Sequence, residues 1–69
     1  MSLLIDLASG RKLRVGDALR DELGRQWEVL GWTDDGEVFV RLRAAESAVL
    51  RFDIDRFGLV IQELVPGVG

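Results

Sequence analysis

Between Trp27 and Ile54, apolar and polar residues alternate in runs broken by two turn-type clusters, Thr33-Asp34-Asp35-Gly36 and Ala45-Glu46-Ser47. Alternation at a period of two puts one set of side chains on each face of an extended chain, so the stretch reads as a three-strand meander. Asp35-Gly36 between alternating runs is a strong hairpin signal, because tight primed turns need positive φ and glycine adopts it without a Cβ clash. A two-residue Asp35-Gly36 turn pairs Thr33 with Val38, Gly31 with Val40 and Val29 with Leu42. A loop of Ala45, Glu46 and Ser47 pairs Leu42 with Leu50 and Val40 with Phe52, and sets Arg41 beside Arg51 and Phe39 beside Asp53. Both registers give the same inner face. A one-residue slip would flip every side chain of a strand, so that agreement carries weight. The alternative is a three-residue loop of Asp34, Asp35 and Gly36, which turns Leu30 and Trp32 inward.

Upstream, Leu3 to Leu7 is a short apolar run closed by Ala8-Ser9-Gly10, and Arg11 to Val15 alternates with Leu13 and Val15 on one face. The two runs read as a first hairpin. A helix over Leu3 to Ala8 is the competing reading, weakened by the few residues before Gly10. Gly16-Asp17 turns the chain into Ala18 to Asp21, and Glu22-Leu23-Gly24-Arg25 turns it again; Arg20 to Leu23 as a helical turn is the alternative. After Ile54, Asp55-Arg56-Phe57-Gly58 forms a compact turn. Leu59 to Leu64 is a last strand whose nearly continuous apolar residues leave its inner face open. Pro66 and two glycines in 65–69 predict a flexible tail, leaving residues 1–64 as one domain.

This order of strand, long turn, three-strand meander, one-turn connector and final strand resembles the SH3-like small barrels over Ala18 to Leu64. The resemblance implies an all-β fold, a small barrel of five to seven antiparallel strands, to which the N-terminal hairpin is an addition. The chain departs from proline-binding SH3 domains, since Ala18 to Leu23 carries no tyrosine cluster and Trp32, Phe39 and Trp27 are the only aromatics placed to dock proline.

Sixty-nine residues make one small domain, and a core of this size supplies roughly 3 to 5 kcal/mol of net stability. With no cysteine or histidine, neither a disulfide framework nor the usual zinc site can supplement it, which raises the expectation of self-association. Nine basic and 12 acidic residues give a net charge of −3, unfavourable to a protein whose main task is neutralising phosphates. Neither a secretory leader nor a run of about 20 apolar residues is present, so a cytoplasmic protein without a membrane span is expected.

The candidate chemistry is sparse. Asp53-Ile54-Asp55-Arg56-Phe57-Gly58 starts like a calcium loop, but Phe57 and Leu64 occupy positions that should supply oxygen ligands. Ser9 and Ser47 sit in turn clusters where hydroxyls bond local backbone. With no histidine, cysteine or tyrosine, no catalytic residue, cofactor or metal is expected. Arg41, Arg43 and Arg51 share the outer face near Phe39 and Trp32, a pattern small barrels use to bind nucleic-acid strands. Glu28, opposite Arg43, and Asp53 offset part of that charge. The register with the two-residue turn also points Leu30, Trp32 and Phe39 outward, too much apolar surface to be left to water. The N-terminal hairpin, a second copy or another protein could cover it. The sequence therefore predicts a non-catalytic binding or assembly module, acting through protein contacts or as a two-fold homodimer. Its partner surface comprises Leu30, Trp32, Phe39, Arg41, Arg43 and Arg51, with nucleic-acid binding by the arginines as the alternative.

Overall fold

The computed structural model of the chain describes residues 2–44 and 48–64. In order it forms β1 (Ser2–Asp6), β2 (Arg11–Leu13), β3 (Ala18–Arg20), β4 (Gln26–Trp32), β5 (Glu37–Leu42), β6 (Leu50–Asp53), a 3-10 turn (Ile54–Phe57) and β7 (Leu59–Glu63). The strands make two antiparallel sheets, ordered β2-β1-β7 and β3-β4-β5-β6. The fold is all-β. Residues 65–69 and the cluster 45–47 lie outside the described residues.

The first hairpin forms, with Leu4 opposite Leu13, but it is not an appendage. β1 lies between β2 and β7, and the last strand pairs along it from Ser2↔Glu63 to Asp6↔Leu59. The chain crosses from one sheet to the other at 14–17, where Asp17 Oδ2 accepts from the Arg14 amide at 2.8 Å. There Gly16 and Asp17 already bond to Val29 through N–H···O distances of 2.8 and 2.9 Å. This crossing ends β2 at Leu13, so Val15, expected on the same face as Leu13, is 65% exposed while Leu13 is buried. Among the described residues no ladder joins β6 to β7.

Both meander registers differ from expectation. In the first hairpin Trp27 lies opposite Leu42 and Val29 opposite Val40; then a β-bulge at Leu30 shifts the register so that Gly31 meets Phe39 and Trp32 meets Val38. The loop is the three-residue one, closed by Thr33 N–H to Glu37 O at 2.9 Å, with Gly36 at φ 105°. The reason is phase. Trp27 and Val29 alternate in one phase and Trp32 falls in the other, so only an extra residue between them lets all three face the core. In the second hairpin Val40 pairs with Leu50 and Val38 with Phe52, two residues from the expected register. An even shift preserves faces, and alternation cannot detect it. Phe39 therefore neighbours Arg51, and Asp53 neighbours Glu37.

The core joins Leu4, Leu13 and Leu59 of one sheet to Leu19, Trp27, Val29, Val38 and Val40 of the other, with Trp32, Leu42, Phe52, Ile54, Phe57 and Ile61 packed around it. Each fully buried aliphatic side chain contributes about 1.5 to 3 kcal/mol over exposure. Leu50, expected inside, is 40% exposed, while Leu42 and Phe52 are half-buried. The last strand turns Leu59 and Ile61 inward and Val60 outward. The 3-10 turn ends at Gly58, whose N–H donates to the carbonyls of Asp55 and Ile54 and whose left-handed φ of 66° redirects the chain into β7.

Candidate binding surface

The six residues expected to meet a partner do not share one face. Val38 and Val40 are fully buried, so Phe39 and Arg41, which alternate with them, stand on the outer side of β5. Arg51 lies across from Phe39. Trp32 pairs with buried Val38 and packs against the core, and its Nε1 donates to Ser2 Oγ at 3.1 Å. The N-terminal strand thus meets the indole that the expected register had turned to solvent. Leu30 occupies the bulge and is half-buried, as is Phe39.

The outer arginines are matched by acids. Arg41 lies 3.6 Å from Glu28, its cross-strand partner, and Arg51 Nε lies 2.9 Å from Glu37 Oε2. Arg43 stands beyond the end of β5, its amide bonded to Gln26 O at 3.1 Å, and forms no ion pair among the described residues. The face is a mixed-charge ladder around Phe39, with Asp53 opposite Glu37 as its one like-charge pair among the described residues.

A second surface, not anticipated from sequence, is built on the turn between β3 and β4. The Asp21 carboxylate organises it. Oδ1 accepts from the amides of Leu23 and Arg25, both at 2.9 Å, and Oδ2 accepts from Arg25 Nε at 2.8 Å and Trp27 Nε1 at 3.0 Å. The Trp27 indole N–H, with the backbone and guanidinium of Arg25, holds the Asp21 carboxyl down to about 2, because each donor favours the charged form. So pinned, the turn presents Leu23 with 77% of its surface exposed.

Beside it, Trp27, Phe52 and Phe57 form a triangle of edge-to-face contacts with centroids 5.5 to 6.2 Å apart, the geometry favoured by ring quadrupoles. Guanidinium groups lie on two of these rings, Arg25 at 5.6 Å from Trp27 and Arg56 at 4.3 Å from Phe52. Arg56 has no ion-pair partner among the described residues. Between the turn and the 3-10 helix opens a cleft of about 400 Å³ lined by Asp21, Glu22, Leu23, Arg25, Asp55 and Arg56. It offers one apolar side chain among charges of both signs, suited to polar-rimmed contact. The signal present in the sequence was Arg25 two residues before Trp27, on the same side of the extended chain; the approach of Arg56 and Phe57 is tertiary.

No group of three or more acidic or sulfur- or imidazole-bearing side chains among the described residues could hold a metal ion. No helix among them is long and apolar enough to cross a membrane. No protein-family model, curated protein or solved structure matches the chain.

Proposed function

We propose that the chain is a non-catalytic binding or assembly module with the layout of an SH3-like small barrel, acting through protein contacts that include self-association. The observation that carries this reading is the exposed Leu23 on a turn whose backbone and flanking Arg25 are pinned by one carboxylate. A large apolar side chain carried on backbone that is already ordered leaves only its own rotamers to be fixed on docking, which favours recognition. Arg25 and Arg56 border it with charge, as rims do. The one strongly shifted carboxyl among the described residues, Asp21, is held ionised by hydrogen bonds that close its own turn and anchor the core, a structural use of such a shift. For nucleic acid, the pairing of Arg41 with Glu28 and of Arg51 with Glu37 reduces the positive field that phosphate contacts need.

The test compares the wild-type chain with Leu23→Asp and Arg56→Glu, first in capture from an extract of the source cells and then in solution mass. Capture of a defined protein that both variants lose supports the reading. Salt-sensitive binding of oligonucleotides, lost when Arg41, Arg43 and Arg51 are replaced, would overturn it in favour of nucleic acid.

A further inference from the structure

β6 ends its sheet, and no described residue hydrogen-bonds to its outer edge. Such an edge presents unpaired N–H and C=O groups and can template another strand unless its side chains repel one. Its sequence is Leu50-Arg51-Phe52-Asp53. Laid antiparallel against itself about a two-fold axis at Phe52, the strand sets Arg51 opposite Asp53 of a second copy, and Asp53 opposite that copy's Arg51. Edges that guard against association carry charges of one sign, which repel their own copy. This edge carries opposite signs on either side of its midpoint, and so attracts it.

A second observation points the same way. Asp53 lies directly opposite Glu37 in the ladder and is exposed, with neither an ion pair nor a side-chain hydrogen bond among the described residues. Like charges facing across strands are destabilising. Arg51 already reaches Glu37 at 2.9 Å, leaving the Asp53 charge without an ion-pair partner among the described residues. Leu50 and Val49, 40% and 57% exposed, stand at the start of the same edge and would lose water on association.

We infer that two copies of this chain join edge to edge through β6, antiparallel about Phe52, with Arg51 of each copy paired to Asp53 of the other. The inference rests on the proposed assembly role but uses a surface other than the Leu23 turn. The joined sheet would run through eight strands, β3-β4-β5-β6 and its symmetry copy. Both charge pairs repeat by symmetry, so one substitution alters both.

Arg51→Asp and Asp53→Arg each convert the two opposite-charge pairs into like-charge pairs, which weakens the dimer on the order of tenfold or more. The first variant carries two acids on its edge and the second two arginines. Mixed in equal amounts, they set opposite charges against each other at both pairs and should re-form a dimer of one copy of each. Asp53→Arg also removes the clash with Glu37, so its thermal midpoint, compared as a monomer, should be at least that of wild type; this separates lost association from lost folding. The measurement is sedimentation of the wild type, each variant and the mixture from micromolar to near-millimolar concentration. A wild-type mass of one chain throughout would overturn the inference, while leaving capture through Leu23 to its own test. A dimer indifferent to both variants, a larger assembly, or a mixture that stays monomeric would overturn it equally.

Discussion

The carboxylate of Asp21 accepts a hydrogen bond from the indole Nε1 of Trp27 at 3.0 Å, so the residue that closes the turn after β3 also satisfies the polar atom of the largest core side chain. Trp27 is only 3% exposed. Its N–H would otherwise be desolvated with no partner, a costly arrangement. One acid thus links the core, the turn and the presentation of Leu23.

This gives Asp21 a defined pH signature. Its carboxyl is depressed from 3.8 to about 2 in the folded chain, so folding is favoured by its ionised form. That contribution is fully present above the unfolded value of 3.8 and is lost as pH falls through about 2. Asp21→Asn should lower the thermal midpoint at neutral pH, with the gap to wild type narrowing between about pH 4 and 2. A constant gap across that range would show that the ionised carboxylate contributes nothing specific.

Trp32 and Ser2 join β4 to the chain's first strand across 30 positions. Ser2→Ala leaves the indole N–H without this partner and should cost about 1 kcal/mol in urea denaturation. Trp32→Phe in the Ser2→Ala background should then cost less than in wild type, since the pair is already broken. Strict additivity of the two would argue that the bond does not form in solution.

Phe52 and Leu50 separate the observed register from the expected one. Phe52 contacts the rings of Trp27 and Phe57 and lies under Arg56, so Phe52→Ala should destabilise by about 3 kcal/mol. Leu50→Ala, at a 40% exposed position, should cost under about 1 kcal/mol when compared as a monomer. Equal losses would favour the register in which both side chains are buried.

The glycines of the first hairpin divide in the same way. Gly36 has φ 105° with open space where a Cβ would sit, so Gly36→Ala should cost roughly 1 to 2 kcal/mol through backbone strain alone. Gly31 has no positive φ and equally open space, and Gly31→Ala in the bulge should be close to neutral. Chemical denaturation of the two variants side by side reads the contrast directly. A Gly36→Ala protein as stable as wild type would rule out the observed loop.

Alternation and turn chemistry were enough to determine that the chain is all-β, that a meander lies within Trp27 to Ile54, that a one-turn connector around Asp55 to Gly58 precedes the last strand, and that Val29, Val38 and Val40 face inward. These depend on local preference and a period of two, both written residue by residue. Register was only half legible. The two-residue shift between β5 and β6 leaves every side chain on the same face, so no pattern can reveal it. The Leu30 bulge could be read only from the conflict between the phases of Val29 and Trp32. The candidate surface depended on position in space. Arg56 reaches Phe52, and Phe57 reaches Trp27, only once the 3-10 turn has folded against β4 and β6, and Asp21 finds the Trp27 indole only when the turn has closed. Which strand lies beside β7 was likewise a tertiary choice, made by Leu4, Leu59 and Ile61 burying against one another at nearly the full length of the chain, a pairing that no local propensity encodes.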